Sequence, residues 1–168
     1  MTPWICWVAV LNLSLLLTAC GDEQHPLTSI APLAIEGGDE CHLCGMIIRE
    51  FPGPKGEAIE TRHGRVAKFC STRDMLSWWL QPEHQSLAAQ LYVHDMARSD
   101  WQHPDDRHLI DATKAFYVAG SRLRGAMGPT LASFAGRGSA ESFAREHGGT
   151  VLRFDQINLE VLQQLSLH

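Results

Sequence analysis

The order of strand-like and helix-like segments along these 168 residues predicts an α+β domain. Short β-branched and aromatic runs bounded by Gly and Pro mark strands, because they are too brief for helices. Amphipathic stripes at helical spacing stand between some of them, without the regular alternation that a parallel sheet requires. The last third also repeats the strand and helix pattern of the middle third, which points to an internal duplication.

Residues 4–19 are uncharged and mostly apolar, ending in Leu17-Thr18-Ala19-Cys20 ahead of polar Gly21-Asp22-Glu23-Gln24. The run is short for a membrane span, is interrupted by Asn12 and Ser14, and stops at small residues. Residues 1–19 are therefore expected to be a lipoprotein signal peptide cut before Cys20, whose thiol then carries lipid. No Lys or Arg precedes the run, so only the amino terminus supplies positive charge. The rest of the chain is expected outside the cytoplasm, and Gly21 after Cys20 carries no cue for retention in the inner membrane. Residues 25–39 hold prolines and small residues without periodicity, so 20–39 is expected to be a lipidated, flexible tether. The folded domain is expected over 40–168, with halves of about 40–100 and 101–168.

Within that domain, residues 46–51 and 65–70 are expected strands, with turns at 52–56 and 63–64. Ser71 stands three residues before Asp74, a capping pattern for a short helix with Met75, Leu76 and Trp79 on one face. Residues 91–96 and 115–119 are further strand candidates. Ser139 is placed to cap a helix whose stripe is Ala140, Phe143, Ala144 and His147, and Gly148-Gly149 ends it. A strand over 150–154 and a closing helix over 156–165 complete the chain. The duplication aligns 64–69 with 149–154, and Gly45-Met46 with Ala126-Met127-Gly128, which would make Met46 and Met127 counterparts across a cleft.

The net charge of −5 is spread in mixed signs with no basic block, which argues against nucleic acid. No Ser-His-Asp set or phosphate loop is present, and Asp95, Asp100 and Asp111 fit turns and caps, so neither an enzyme nor a small-molecule substrate is expected.

Chemistry concentrates in Glu40-Cys41-His42-Leu43-Cys44-Gly45-Met46. Of five cysteines, Cys6 leaves with the signal and Cys20 takes lipid, so Cys41, Cys44 and Cys70 remain. Thiolate and thioether sulfurs bind Cu(I) in preference to hard cations. Extended backbone would put Cys44 and Met46 on one face, side by side. Further ligand candidates are His94, Met96, His103, His108 and Met127. Two other chemistries fit the same cysteines. Cys41, Cys44, His63 and Cys70 form a possible zinc set that would make the region a structural staple. Cys41 and Cys44 could also cycle as the dithiol of a thiol oxidoreductase, although Gly-Met-Ile-Ile after them is a poor helix start. Cys70 taken alone fits a buried apolar thiol.

The lipobox, CHLCGM, KFCSTRD (68–74), YVHDM (92–96), AFYV (115–118), GAMGPTLASF (125–134) and FAREHGGTVLRF (143–154) together resemble the NosL family, copper-binding accessory lipoproteins of nitrous oxide reductase maturation. The resemblance covers 40–154. It implies a periplasmic, membrane-anchored Cu(I) metallochaperone whose partners are an ABC-type maturation complex and, ultimately, nitrous oxide reductase. It also implies two related ββαβ-type halves similar to the organomercurial lyase fold, without implying lyase activity. On the family pattern Cys44 and Met46 are copper ligands, with His94 or Met127 completing the site.

Overall fold

The structure is a computed structural model that describes residues 30–165. The expected signal peptide, the lipidated Cys20, the tether up to residue 29 and the last three residues lie outside the described residues.

The first sheet is built on a hairpin of β1 (Gly56–Glu60) and β2 (Val66–Phe69), with Gly56 opposite Phe69. Helix α1 (Thr72–Trp79) follows, and its start is as expected: the Ser71 hydroxyl accepts from the Asp74 amide. The short α2 (Pro82–Gln85), with Pro at its first position, leads to β3 (Ala89–His94), which returns antiparallel beside β1. With β4 (Leu109–Asp111) the sheet order is β2-β1-β3-β4.

The second sheet begins with β5 (Phe116–Ala119). A small ribbon of β6 (Arg124–Gly125) and β7 (Gly128–Pro129) precedes β8 (Ala132–Phe134), α3 (Arg137–His147) and β9 (Thr150–Arg153), giving the order β8-β5-β9. Helix α4 (Leu159–Leu165) closes the described chain. One continuous apolar cluster joins the two sheets, running from Phe69, Met75 and Val93 through Tyr117 and Leu131 to Leu162 and Leu165 of α4. Among the described residues, no helix is long and apolar enough to cross a membrane.

In both sheets an antiparallel pair is followed by a helix and a strand that returns beside the first member of the pair. The alignment of 64–69 with 149–154 does not follow this order, because β2 is the second strand of its unit and β9 the third. Met46 lies ahead of β1 and Met127 between β6 and β7, so they do not occupy matching places.

Two other expectations change. Residues 46–51 form no strand: one bridge joins Glu40 to Ile47, and Ile48–Glu50 is a single 3-10 turn. Strand β1 went unread because GEAIE has no apolar alternation, although all five residues are buried. Residues 30–39, expected as tether, are pinned over the face of the first sheet away from α1. The Ile30 amide donates to Gln90 Oε1 at 2.7 Å, and the Leu33 amide to Glu57 Oε1 at 3.0 Å. Lys68 Nζ donates to Ala34 O at 2.7 Å and to Asp39 Oδ2 at 2.6 Å. The lone apolar anchor, Ile35, is 2% exposed.

Asp106 holds this segment to the sheet. Its Oδ2 accepts from the Ile35 amide at 2.9 Å and Arg49 Nη2 at 2.7 Å, while Oδ1 meets His94 Nε2 at 3.0 Å. Burial works to raise the Asp106 pKa, but the His94 and Ile35 hydrogen bonds and the Arg49 charge outweigh it and hold the carboxyl below its ordinary value. Asp106→Asn is expected to cost roughly 1–3 kcal/mol in urea unfolding at neutral pH. Since the folded-state pKa is the lower one, the wild-type contribution is intact above a pH of about 4 and is lost as pH falls through the folded value. A second variant tests how closely α1 sits on β1: a Cβ at Gly56 would fall 2.6 Å from Met75 Cβ. Gly56→Ala is expected to lower stability by about 1–3 kcal/mol in the same assay.

Candidate metal centre

Residues 41–46 close on themselves. The Cys41 amide donates to Met46 O and the Gly45 amide to Cys41 O, both at 2.8 Å. Gly45 makes the reversal with φ of +74°, a conformation other residues adopt at a cost of about 1–2 kcal/mol. Because the chain turns there, Cys44 and Met46 do not share one face of a strand. Met46 folds back instead, half-buried against the apolar cluster that contains Cys41 and Cys70.

The β1–β2 register ends beside this turn. Phe69 pairs with Gly56, Cys70 follows, and α1 begins at Thr72. The His42 amide donates to Lys68 O at 2.8 Å, fastening the turn to the outer edge of β2. The ligand atoms of Cys41, Cys44, Cys70 and Asp74 then all lie within 4.8 Å of one another. Cys44 Sγ is 3.6 Å from Cys70 Sγ, close to the separation of about 3.8 Å that two thiolates reach on one tetrahedral metal at 2.3 Å. Cys41 and Cys70 are 3% and 0% exposed, whereas Cys44 lies open to solvent.

Ionisation within the group is shared. The Cys70 thiol lowers the Cys41 pKa by hydrogen bonding to its sulfur, helped against burial by the amides of Cys70, Cys44 and Leu43. The same pairing raises Cys70, with burial and Asp74 adding to the effect, and Asp74 Oδ2, 3.0 Å from the Cys70 sulfur, competes with Cys41 for that one S–H. Partial desolvation raises Cys44, and burial raises Asp74. Three thiols and a carboxyl this close cannot all be charged in a metal-free protein. A cation that replaces their protons removes that conflict, so the donor set fits a thiophilic metal.

The other sequence candidates fall in different places. His63 stands exposed at the tip of the β1–β2 hairpin, 2.5 Å from Glu60 Oε1. Four residues of strand, roughly 14 Å, separate that end from the thiols, so His63 does not join them. Asp74 does, and its sequence signal was the i, i+4 spacing from Cys70, hidden by its fit to the helix cap. His94 is fully buried, with Nδ1 accepting from the Lys55 amide at 3.1 Å and Nε2 on Asp106. Both of its nitrogens are engaged in holding the fold. His103 lies exposed in a turn closed by Asp100, and His108 lies beside Asp105. Met96 packs on the smaller cluster of Val118 and Phe134. Met127 is 51% exposed in the β6–β7 ribbon, while its neighbour Ala126 packs on the cluster shared by Cys41, Cys70 and Met46. The thioredoxin-like alternative lacks its helix: Cys41 and Cys44 lie in the turn, and it is Cys70 that precedes α1.

A family model described as NosL matches residues 32–162. The copper-binding lipoprotein NosL of Stutzerimonas stutzeri is 57% identical over 148 residues, covering 88% of this chain and 77% of that protein. The copper-binding lipoprotein NosL of Achromobacter cycloclastes is 35% identical over 145 residues, covering 84% and 74%. The crystal structure of the copper chaperone NosL from Shewanella denitrificans matches with a TM-score of 0.74 at 48% identity, covering 77% of this chain and 97% of that one.

Cobalt(II) tests the donor set by spectroscopy. Reduced protein is expected to bind it with intense sulfur-to-metal absorption, which Cys44→Ser and Cys70→Ser each weaken and His63→Ala leaves unchanged. Equal loss in His63→Ala would contradict the placement of the hairpin tip.

Proposed function

Because the chain belongs to the NosL family, we propose that it is a copper chaperone that carries Cu(I) at the turn of residues 41–46 and passes it on by ligand exchange. The observation that carries this is the exposure gradient across the three thiols: Cys44 open, Cys41 and Cys70 closed behind it. A fully enclosed four-ligand site suits structural metal, whereas a site with one exposed sulfur can accept an incoming ligand before its own leaves.

Cys44 is the entry and exit ligand. The Met46 thioether, two residues on, supplies a neutral soft donor that suits Cu(I) over harder cations. Met127 is the third-ligand candidate, since its exposed side chain stands in a ribbon anchored on the same cluster; His94 drops out because its nitrogens are taken. Lipid on Cys20 would hold the domain at the periplasmic face of a membrane, and the recipients would be nitrous oxide reductase and its ABC-type maturation complex. The repeated pair, helix and strand order of the two sheets supports a doubled ββαβ unit like that of the organomercurial lyase fold. A structural zinc site is the second possibility, favoured by the Asp74 carboxylate beside three thiols.

Anaerobic competition titration of the reduced protein separates the two. One equivalent of Cu(I) is expected, in a sulfur-dominated environment by X-ray absorption, with affinity lowered more than about 100-fold in Cys44→Ser. Unchanged affinity in that variant, or four-coordinate zinc that Cu(I) does not displace, would overturn the chaperone assignment.

A further inference from the structure

Lys55 is 3% exposed, and a buried ammonium is costly unless an anion accompanies it. Among the described residues no carboxylate pairs with it. Nζ donates only to carbonyl oxygens, Phe51 O at 2.6 Å and Pro52 O at 3.1 Å. Asp106 lines the same small cavity, but His94, Ile35 and Arg49 already occupy its oxygens.

The anions nearest in kind are the thiols. Lys55 directly precedes Gly56 and Cys70 directly follows Phe69, the pair that ends the β1–β2 ladder, and the Thr72 amide donates to Pro54 O at 3.1 Å just beyond it. Burial pulls the Lys55 pKa down to about 8, and negative charge on Cys70 and Cys41 works in the opposite direction. A cation so placed is unfavourable beside neutral thiols and favourable beside thiolates.

We infer that the Lys55 ammonium is the fixed counter-ion of the metal-thiolate centre, a positioning residue that ties affinity for Cu(I) to the charge of the loaded site. When one of the buried thiols, Cys41 or Cys70, joins Cys44 and the neutral Met46 on Cu(I), two S–H bonds break, two Cu–S(thiolate) bonds form and two protons leave to solvent. No oxidation state changes, and the centre carries a net charge of −1. Lys55 offsets the charge of the copper-dithiolate unit without occupying a coordination position, so a partner's ligand can still enter beside Cys44. This inference rests on the copper proposal above.

Three variants separate charge from scaffolding. Lys55→Arg keeps the charge, Lys55→Gln keeps a donor for the carbonyls without charge, and Lys55→Met removes both. In anaerobic Cu(I) competition titrations, Gln and Met are expected to bind about 10- to 100-fold more weakly than wild type, with Arg close to wild type. Thermal unfolding of the metal-free forms is expected to show Gln and Met at least as stable as wild type, because each removes an uncompensated buried charge. If Gln matches wild type in copper affinity, or if affinity falls only in step with metal-free stability, Lys55 is a turn-holding residue and the inference is overturned. Should Arg not fold, the opposite movements of affinity and stability in Gln and Met still decide. Wild-type protein that takes up no Cu(I) on sulfur overturns the copper assignment and this inference together, while tight wild-type binding with unchanged variants overturns this inference alone.

Discussion

Gly56 faces Phe69 across the β1–β2 hairpin, with no side chain between the strand and Met75 of α1. That pairing sets the distances on which the site depends. It brings Lys55 and Cys70 to the same end of the hairpin and starts α1 there, so that Asp74 in the first turn of α1 reaches back to Cys70. The turn of residues 41–46 is then fastened to the free edge of β2 by the His42 amide. A slip of one residue would turn Lys68 away from Asp39 and Ala34 and move Cys70 out of reach of the other thiols.

The resulting site combines two properties that work against each other. Burial of Cys41, Cys70, Asp74 and Lys55 makes each charge there expensive alone. Their proximity makes the charges affordable together, provided a cation is bound to the sulfurs. Cys44 alone of these faces solvent, and a cleft of about 600 Å³ lined by His42, Trp78 and His84 opens on the His42 side of the turn. His84 stacks on Trp78 at 4.0 Å and His42 meets the same ring edge-on at 6.0 Å, so the cleft wall beside the turn is aromatic and rigid.

The back of the first sheet is closed by residues 30–39, held by Asp106, Glu57, Gln90 and Lys68. Here the histidine of the VHDM stretch has its use. His94 joins the Lys55 amide to the Asp106 carboxylate, linking the turn before β1 to the cover over the opposite face. The imidazole, a ligand candidate in the sequence, has both ring nitrogens in hydrogen bonds that link the layers.

By itself the sequence determined what depends on local pattern: α1 with its Ser71 cap, α3 ending at Gly148, strands β2, β3, β5 and β9, and the soft-ligand chemistry of residues 41–46. Those features are encoded in neighbours, through periodicity, capping and the preference of sulfur for soft metals. Only the tertiary structure decided which distant groups meet. Cys70 and Asp74 join Cys41 and Cys44 because of hairpin register, and His63 stays away because the same hairpin carries it to the far end. Strand β1 was hidden because GEAIE has no apolar alternation and its buried Glu57 is accommodated by the Leu33 amide, 24 positions away, which no window of local sequence contains. Residues 30–39 read as a tether for a similar reason: their order comes from hydrogen bonds to side chains 24 to 71 positions away, not from any pattern of their own.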